Sequence, residues 1–433
     1  MKQAKSISEI FDTLLILLNC SACYSVIPYI LFHQYNRGVF VIIIAAINIL
    51  YLCYKYGFKT ELPSAPLFIL YFLINIWNSY ASLYTDSGYL LCTAYLIANS
   101  TFFIILYNCY ITYLNSYSTR RSLWLVIRGY VYLEIICILS ALLTFIVLKM
   151  GYPLSNNIND SFDLFTDNVV SLGHNYYAPL GVGIVLDSLF SSLRLFSEDG
   201  IICGLYHEPH IITFMVFPSL FFLWAYAKNN YQKLAIFLSG LFIAILASST
   251  TNIIVTFICL CIALFFFKKG KIFLIPVILS TIFIVIFIGL ENTELFFVAD
   301  KLDNAGGSRD YSLRSLEFAL YPKTWIGSNI INASYVKELG NGQRDMGIIM
   351  TIINLCFLII VLYQTVKLIV SHDRFYCLIG VGCLYFIMHS AKTASTSYSF
   401  SVLLLIIFII SYSLKSRITL LGNDEQNYKT IEE

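Results

Sequence analysis

One segment of this sequence, residues 191–214 (SSLRLFSEDGIICGLYHEPHIITF), concentrates ionisable side chains that could do chemistry. Arg194 comes first, and His207, Glu208 and His210 follow just before an apolar run long enough to be a membrane span. A guanidinium can donate two hydrogen bonds to a phosphate or pyrophosphate and stays charged at physiological pH. An imidazole or carboxylate nearby can accept a proton from an attacking hydroxyl. The segment is therefore a candidate site for chemistry on a phosphorylated substrate.

Simpler structural explanations exist for each of these residues. A loop arginine is often solvated or bound to a lipid headgroup, and a glutamate such as Glu208 can be a plain cap at a helix N-terminus. Pro209 fits the first turn of a helix, because its missing N–H would have no partner there. A metal site is not expected, since Pro209 interrupts the two histidines and no HExxH-type ligand spacing is present. No cofactor motif, such as a P-loop or a GxGxxG turn, occurs either.

Composition places the chain in the membrane. Of 433 residues, 58% are hydrophobic and only 12% are charged, whereas a soluble domain has about 25% charged residues. The net charge of +2 is spread over many short loops, so no nucleic-acid partner is expected. We predict an all-α fold: a single polytopic integral membrane helical bundle over residues 1–433, with the lipid bilayer as its surroundings.

Apolar runs of the length that a bilayer requires predict about 12 transmembrane helices. They lie near residues 10–32, 38–54, 65–83, 88–113, 123–148, 205–227, 233–248, 251–267, 271–290, 346–370, 375–391 and 397–414. The first run is longer than the apolar part of a secretory signal, and it is interpreted as a retained span.

The distribution of Lys and Arg predicts the orientation, because positive residues in short loops stay on the cytoplasmic side. With both termini cytoplasmic, most of the 27 Lys and Arg lie inside. Two large loops, 149–204 and 291–345, then lie on the outer face. Within the first, the spacing of Val182, Val185, Leu186, Leu189 and Leu193 predicts an amphipathic helix in the membrane interface.

The second outer loop supplies further candidates for binding a phosphorylated group, namely Arg309, Arg314, Arg344 and Asp345. Its SRDYSLRSLEFALYP stretch predicts a short helix that ends before Pro322. Within the predicted spans the main ionisable residues are Arg128, which is close enough to the cytoplasmic interface to snorkel, and the deeper Glu134. A charge inside a membrane span is a functional hypothesis by default.

These features resemble the Wzy-type O-antigen and capsular polysaccharide polymerases, which are related to the O-antigen ligases. Three groups of residues carry the resemblance: Arg194, Gly204, Glu208 and Pro209; Arg314, Pro322 and Gly327; and Arg344, Asp345 and Gly347. The resemblance implies a GT-C-like, metal-independent membrane glycosyltransferase without a cofactor, located in the bacterial inner membrane. Its substrate would be an oligosaccharide on undecaprenyl pyrophosphate, and a chain-length regulator protein is a candidate partner.

The expected roles follow from the resemblance and from the residue chemistry together. Glu208, His207, Arg194 and Arg314 are the predicted catalytic residues, and Arg309, Arg344, Asp345 and His210 are the predicted substrate-binding residues. Two alternatives stay open. One is an O-antigen ligase, which transfers finished polymer to a lipid A core. The other is a flippase or other transporter of lipid-linked oligosaccharide, which would be expected to carry charged residues inside the helical bundle.

Overall fold

The computed structural model describes residues 2–22, 37–63, 65–81, 89–154, 174–188, 200–206, 209–247, 250–266, 348–371, 373–393 and 401–413. Most of them are helical. The helices are α1 (Lys2–Ser21), α2 (Arg37–Lys55), α3 (Pro66–Ala81), α4 (Tyr89–Leu114), α5 (Thr119–Lys149), α6 (Pro209–Tyr226), α7 (Asn230–Ala247), α8 (Thr250–Phe266), α9 (Ile348–Ile369), α10 (Arg374–Thr393) and α11 (Ser401–Ser413).

A helix occupies each predicted span that falls within these residues, and the span predicted at 271–290 lies outside them. Three of the described helical segments are long and apolar enough to cross a membrane: Thr93–Leu114, Thr119–Lys149 and Asn230–Ala247. Val39–Lys55, Ile211–Tyr226, Cys356–Ile369, Arg374–Met388 and Ser401–Ser413 are shorter apolar helices. This architecture fits an α-helical membrane protein, and the number of about 12 spans stays a prediction.

Helix α5 illustrates why the sequence folds this way in a lipid environment. Ile136, Leu139, Leu143 and Ile146 are all exposed, and their spacing of three and four places them on one face. The opposite face is buried against the rest of the protein. An exposed apolar stripe of this kind suits contact with lipid tails rather than with water.

Helix α6 packs closely against α10. The ring of Phe214 stacks on that of Phe386 with centroids 4.4 Å apart, and Phe217 stacks on Tyr385 at 5.2 Å. A side chain at Gly382 would meet the ring of Phe222 at 2.8 Å, so the glycine permits this close approach.

Amide side chains join α1, α2 and α4. Asn19 and Asn48 exchange two hydrogen bonds of 2.8 and 2.9 Å, and Asn48 also donates to the Ala98 carbonyl at 3.2 Å. Both asparagines are fully buried. Reciprocal amide pairs satisfy polar groups that would otherwise be unpaired among apolar helices, and they fix the register of the helices.

The first large loop, which is predicted to lie on the outer face, contains a three-stranded antiparallel sheet, with strands β1 (His174–Tyr177), β2 (Ile184–Ser188) and β3 (Ile201–Gly204) in that order. Tyr176 pairs with Leu186, and Leu186 pairs in turn with Ile201. The described residues are therefore mostly helical, which is compatible with the predicted all-α membrane fold, and they include one small sheet.

The interfacial helix predicted around Val182, Val185 and Leu186 was wrong, because these residues lead into or lie within β2. Leu180 and Gly181 have left-handed φ values of 51° and 68°, which interrupts any helix before the strand begins. The strand residues from Ile184 to Leu186 are all buried rather than amphipathic. Leu189 and Leu193 lie outside the described residues.

Candidate functional site

Most of the predicted site residues lie outside the described part of the chain. They are Arg194, His207, Glu208, Arg309, Arg314, Arg344 and Asp345. The backbone of His210 belongs to the first turn of α6, which begins at Pro209 as the sequence predicts. What the structure describes is the framework on either side of His207 and Glu208, formed by Tyr206 before them and α6 after them.

One face of α5 supports this framework. Glu134, Cys137, Ala141 and Thr144 recur at spacings of three and four along α5, and all are buried. Helix α6 and strand β3 both pack against α5. Helix α5 thus contacts both the small sheet and the helix that follows the HEPH sequence.

Glu134 and Tyr206 join α5 to the segment before α6. The Tyr206 hydroxyl donates a hydrogen bond of 2.7 Å to Glu134 Oε1, and both side chains are almost completely buried. Among the described residues, the second carboxyl oxygen, Oε2, has no hydrogen-bond partner. The Tyr206 backbone N–H donates to the Cys203 carbonyl at 3.1 Å and closes a turn at the end of β3. The sequence singled out Glu134, but nothing distinguishes Tyr206 among 32 tyrosines.

Gly204 occupies the turn between β3 and α6. Its φ of 60° lies in the left-handed region, where a side chain is strained. A Cβ there would also contact Cys137 Sγ and Ile212 Cδ1, each at 3.1 Å. The glycine therefore allows the chain to turn sharply while it lies against α5.

The sheet is held on α5 one to two helical turns further along. Ser140 donates a hydrogen bond of 2.6 Å to the carbonyl of Val182. A Cβ at Gly183 would collide with the Thr144 hydroxyl and would meet Ser140 Oγ at 2.8 Å. The backbone at Gly183 thus lies directly on α5, with no room for a side chain between them.

A second polar cluster lies towards the other end of α5, between α1, α2 and α4. Asp12 on α1 is fully buried and accepts hydrogen bonds from Tyr51, Lys55 and Tyr113. Lys55 also forms an ion pair with Asp12. Sequence analysis missed Asp12, because it lies near the start of an apolar run and its partner is on another helix.

Arg128 belongs to the same region, where residues of α1 supply partners for its guanidinium group. Its Nε donates to Thr13 Oγ1 and its Nη2 to the Glu9 carbonyl, both at 2.6 Å. The Glu9 carboxylate lies 3.8 Å from Arg128 Nη1 and accepts a hydrogen bond of 2.7 Å from Tyr117. That hydrogen bond raises the pKa of the Tyr117 phenol above its usual value. Because α1 presents these acceptors directly to Arg128, the arginine needs no route to water.

An apolar cavity of about 150 Å³ lies between α6, α7 and α8. Phe217, Phe221, Trp224, Gly240, Thr256 and Leu260 are among its lining residues. None of the residues that line it is charged, so this cavity does not fit a pyrophosphate group. Among the described residues, no three His, Cys, Asp or Glu side chains are arranged to hold a metal ion.

The described geometry therefore concerns the residues on either side of His207 and Glu208 rather than the predicted reacting groups. Backbone N–H groups at the start of α6 have no partners within the helix and carry a partial positive charge, which favours an anion there. No known protein family, curated protein or solved structure matches this chain.

Proposed function

We propose that the chain polymerises undecaprenyl pyrophosphate-linked oligosaccharide repeat units into O-antigen or capsular polysaccharide. The reaction would take place on the periplasmic face of the bacterial inner membrane. The observation that carries this proposal is the order of the sequence, in which Arg194, His207 and Glu208 come shortly before a buried apolar helix. A hydrophobic carrier lipid with a pyrophosphate headgroup needs cationic groups at the membrane surface beside an apolar path.

The proposed roles follow from the bonds that change. The acceptor hydroxyl oxygen bonds to the anomeric carbon of the donor sugar, while the bond from that carbon to the pyrophosphate breaks. Arg194 and Arg314 stabilise the charge that develops on the departing pyrophosphate, and Arg309 and Arg344 assist them. Glu208 or His207 accepts the hydroxyl proton. Asp345 and His210 are assigned to substrate binding.

Two features of the described residues support this proposal. Helix α6 begins at Pro209, so Glu208 immediately precedes an end of a helix whose partial charge is positive. Tyr206, on the other side of His207 and Glu208, is buried and hydrogen-bonded to α5.

The test is the polysaccharide ladder on a gel from cells that carry Arg194→Ala or Arg314→Ala in place of the natural chain. We expect long chains to disappear while single repeat units remain. Arg121→Ala is the matched control, because Arg121 is exposed at the opposite end of α5, and it should leave the ladder unchanged. Normal ladders from both of the first two variants contradict the proposal. Polymer that forms but stays on the carrier would indicate a ligase.

A transporter of lipid-linked oligosaccharide is the second candidate, and one observation favours it. Asp12, Lys55, Glu9 and Arg128 are charged residues between packed helices, and such residues mark ion pathways in many transporters. In this protein they form opposite-charge pairs, which fits a structural role as well. Accumulation of carrier-linked units on the cytoplasmic side of the membrane, in cells that lack the chain, would favour the transporter.

A further inference from the structure

The apolar cavity between α6, α7 and α8 suits a hydrocarbon group. Its volume is about 150 Å³, and it is lined mainly by aliphatic and aromatic side chains. An apolar cavity of this size excludes water and binds small apolar groups. A hydrocarbon chain that enters it also gains dispersion contacts with side chains on three helices.

The cavity can be reached from the surface of α7. Phe237 and Leu241 both line it, and they are 49% and 47% exposed. Leu234 and Leu238 are exposed beside them on the same helix. Helix α7 is also one of the three described helices that are long and apolar enough to cross a membrane. Its exposed apolar surface suits contact with lipid tails, so bilayer lipid is the source of hydrocarbon next to the cavity.

Two lysines lie next to the cavity along the chain. Lys233 comes four residues before Phe237 and seven before Gly240, and both of these line the cavity. This spacing places Lys233 on the same face of α7, about 10 Å from Gly240 along the helix axis. Lys228 lies in the short connection between α6 and α7, four residues after Trp224, which is another lining residue.

The sequence around this place carries charge of one sign. Between Glu208 and Glu291 it contains no Asp or Glu, and its charged residues are Lys228, Lys233, Lys268, Lys269 and Lys271. A lysine at a membrane surface attracts anionic lipids, whereas a lipid without net charge lacks this attraction. The charge therefore favours a lipid with a negative headgroup.

We propose that an anionic phospholipid of the bilayer binds here, with one acyl chain in the cavity between α6, α7 and α8 and its phosphate beside Lys228 and Lys233. The cavity selects for the hydrocarbon chain, and the lysines select for the charge of the headgroup. This inference goes beyond the proposed polymerase function and does not depend on it.

The test measures contact between lipid chains and Trp224, which lines the cavity. The purified full chain in detergent micelles is titrated with phosphatidylglycerol or with phosphatidylcholine. Both lipids carry brominated acyl chains, which quench tryptophan fluorescence at short range. The signal of Trp224 is the difference between each protein and the same protein with Trp224→Phe, which leaves the other tryptophans of the chain in place.

Two changes separate the parts of the site. Lys228→Gln combined with Lys233→Gln removes the two charges at the surface. Ala244→Leu fills part of the cavity, because Ala244 is one of its lining residues. If Ala244→Leu lowers the yield of folded protein, Ala244→Val makes the same comparison with a smaller side chain.

Lys149→Gln is the matched control for the lysine variant. Lys149 is exposed at the C-terminal end of α5. The C-terminal end of α6 lies at the other end of α5, since the Tyr226 hydroxyl donates a hydrogen bond to the Arg120 carbonyl. The length of α5 therefore separates Lys149 from this end of α6 by roughly 40 Å.

For the natural chain we expect half-maximal quenching at a phosphatidylglycerol concentration about 10- to 30-fold below that of phosphatidylcholine. The reason is that each lysine near the membrane surface favours an anionic lipid by about 5-fold. The double lysine variant should lose most of this preference, and added salt should weaken it in the natural chain. Ala244→Leu should reduce quenching by both lipids, and Lys149→Gln should behave as the natural chain does.

Three results overturn the inference. Equal midpoints for the two lipids mean that the lysines do not select a charged headgroup. An equal loss of preference from Lys149→Gln and from the double lysine variant means that a general attraction to basic residues explains the binding. Undiminished quenching in Ala244→Leu means that the chain is not in the cavity. Because quenching is measured without polymer formation, the polysaccharide ladder tests the polymerase proposal alone.

Discussion

Asp12 and Lys55 form a buried ion pair. We predict that replacing both residues lowers the free energy of unfolding by less than the sum of the two single replacements. Asp12 is completely buried, while the Lys55 side chain is 18% exposed. Replacement of Lys55 therefore leaves the Asp12 carboxylate buried without a counter-charge. Replacement of Asp12 leaves the Lys55 ammonium group, which can reach water. The larger cost should come from Lys55→Met.

The magnitudes follow from the contacts of the pair. Breaking a buried ion pair by removing one partner costs about 3–5 kcal/mol, and we expect this range for Lys55→Met. Asp12→Asn keeps one of the two acceptor oxygens that Tyr51 and Tyr113 use, so its expected cost is lower, about 1–3 kcal/mol. The double variant has no uncompensated charge, and it should recover about 1–3 kcal/mol relative to the sum of the single variants.

The assay is unfolding of the purified full chain in detergent micelles, followed by tryptophan fluorescence during titration with a denaturing detergent. The exposed pair Arg120 and Asp373, with side chains 54% and 39% exposed, is the matched control. Removing either partner of that pair should cost at most about 1 kcal/mol. If the costs of Asp12→Asn and Lys55→Met simply add in the double variant, the pair is not energetically coupled and the reasoning is refuted.

Two further predictions concern contacts made by α5. Gly183→Ala should destabilise the protein by about 1–3 kcal/mol, because the added Cβ collides with the Thr144 hydroxyl, and Gly183→Ala combined with Thr144→Ala should recover part of this loss in thermal unfolding. An undiminished melting temperature for Gly183→Ala would show that the sheet can move away from α5 without cost. Arg128→Gln should destabilise more than Arg121→Ala in the same measurement, because Arg128 hydrogen-bonds Thr13 and the Glu9 carbonyl on α1. Equal shifts would mean that Arg128 contributes no more than an exposed arginine.

Hydropathy predicted the helices because the signal is local. A helix such as α5 satisfies all its interior backbone groups within one continuous segment, so a long apolar run is enough to indicate it. The start of α6 was predicted for a similar reason, since the missing N–H of Pro209 suits the first turn of a helix.

The sheet was missed because its determinants are not periodic. Val182, Val185 and Leu186 have a spacing that also fits a helix, and only the left-handed backbone at Leu180 and Gly181 excludes it. The strands gain their stability from pairing with each other and from burial against α5. Neither interaction is visible in a short stretch of sequence.

The sequence by itself determined that the chain is a helical membrane protein, where most helices lie, and which residues are chemically suited to a phosphorylated substrate. Tertiary structure decided which polar residues meet: Asp12 with Lys55, Arg128 with Thr13, and Glu134 with Tyr206. Each of these pairs joins residues from distant parts of the chain. The reason is physical, because a polar group buried among apolar helices must find a partner wherever the packing of those helices places one. Residues 191–214 are an example. Their chemistry can be predicted from the sequence, whereas the hydrogen bond between Tyr206 and Glu134 on α5 is visible only in the structure.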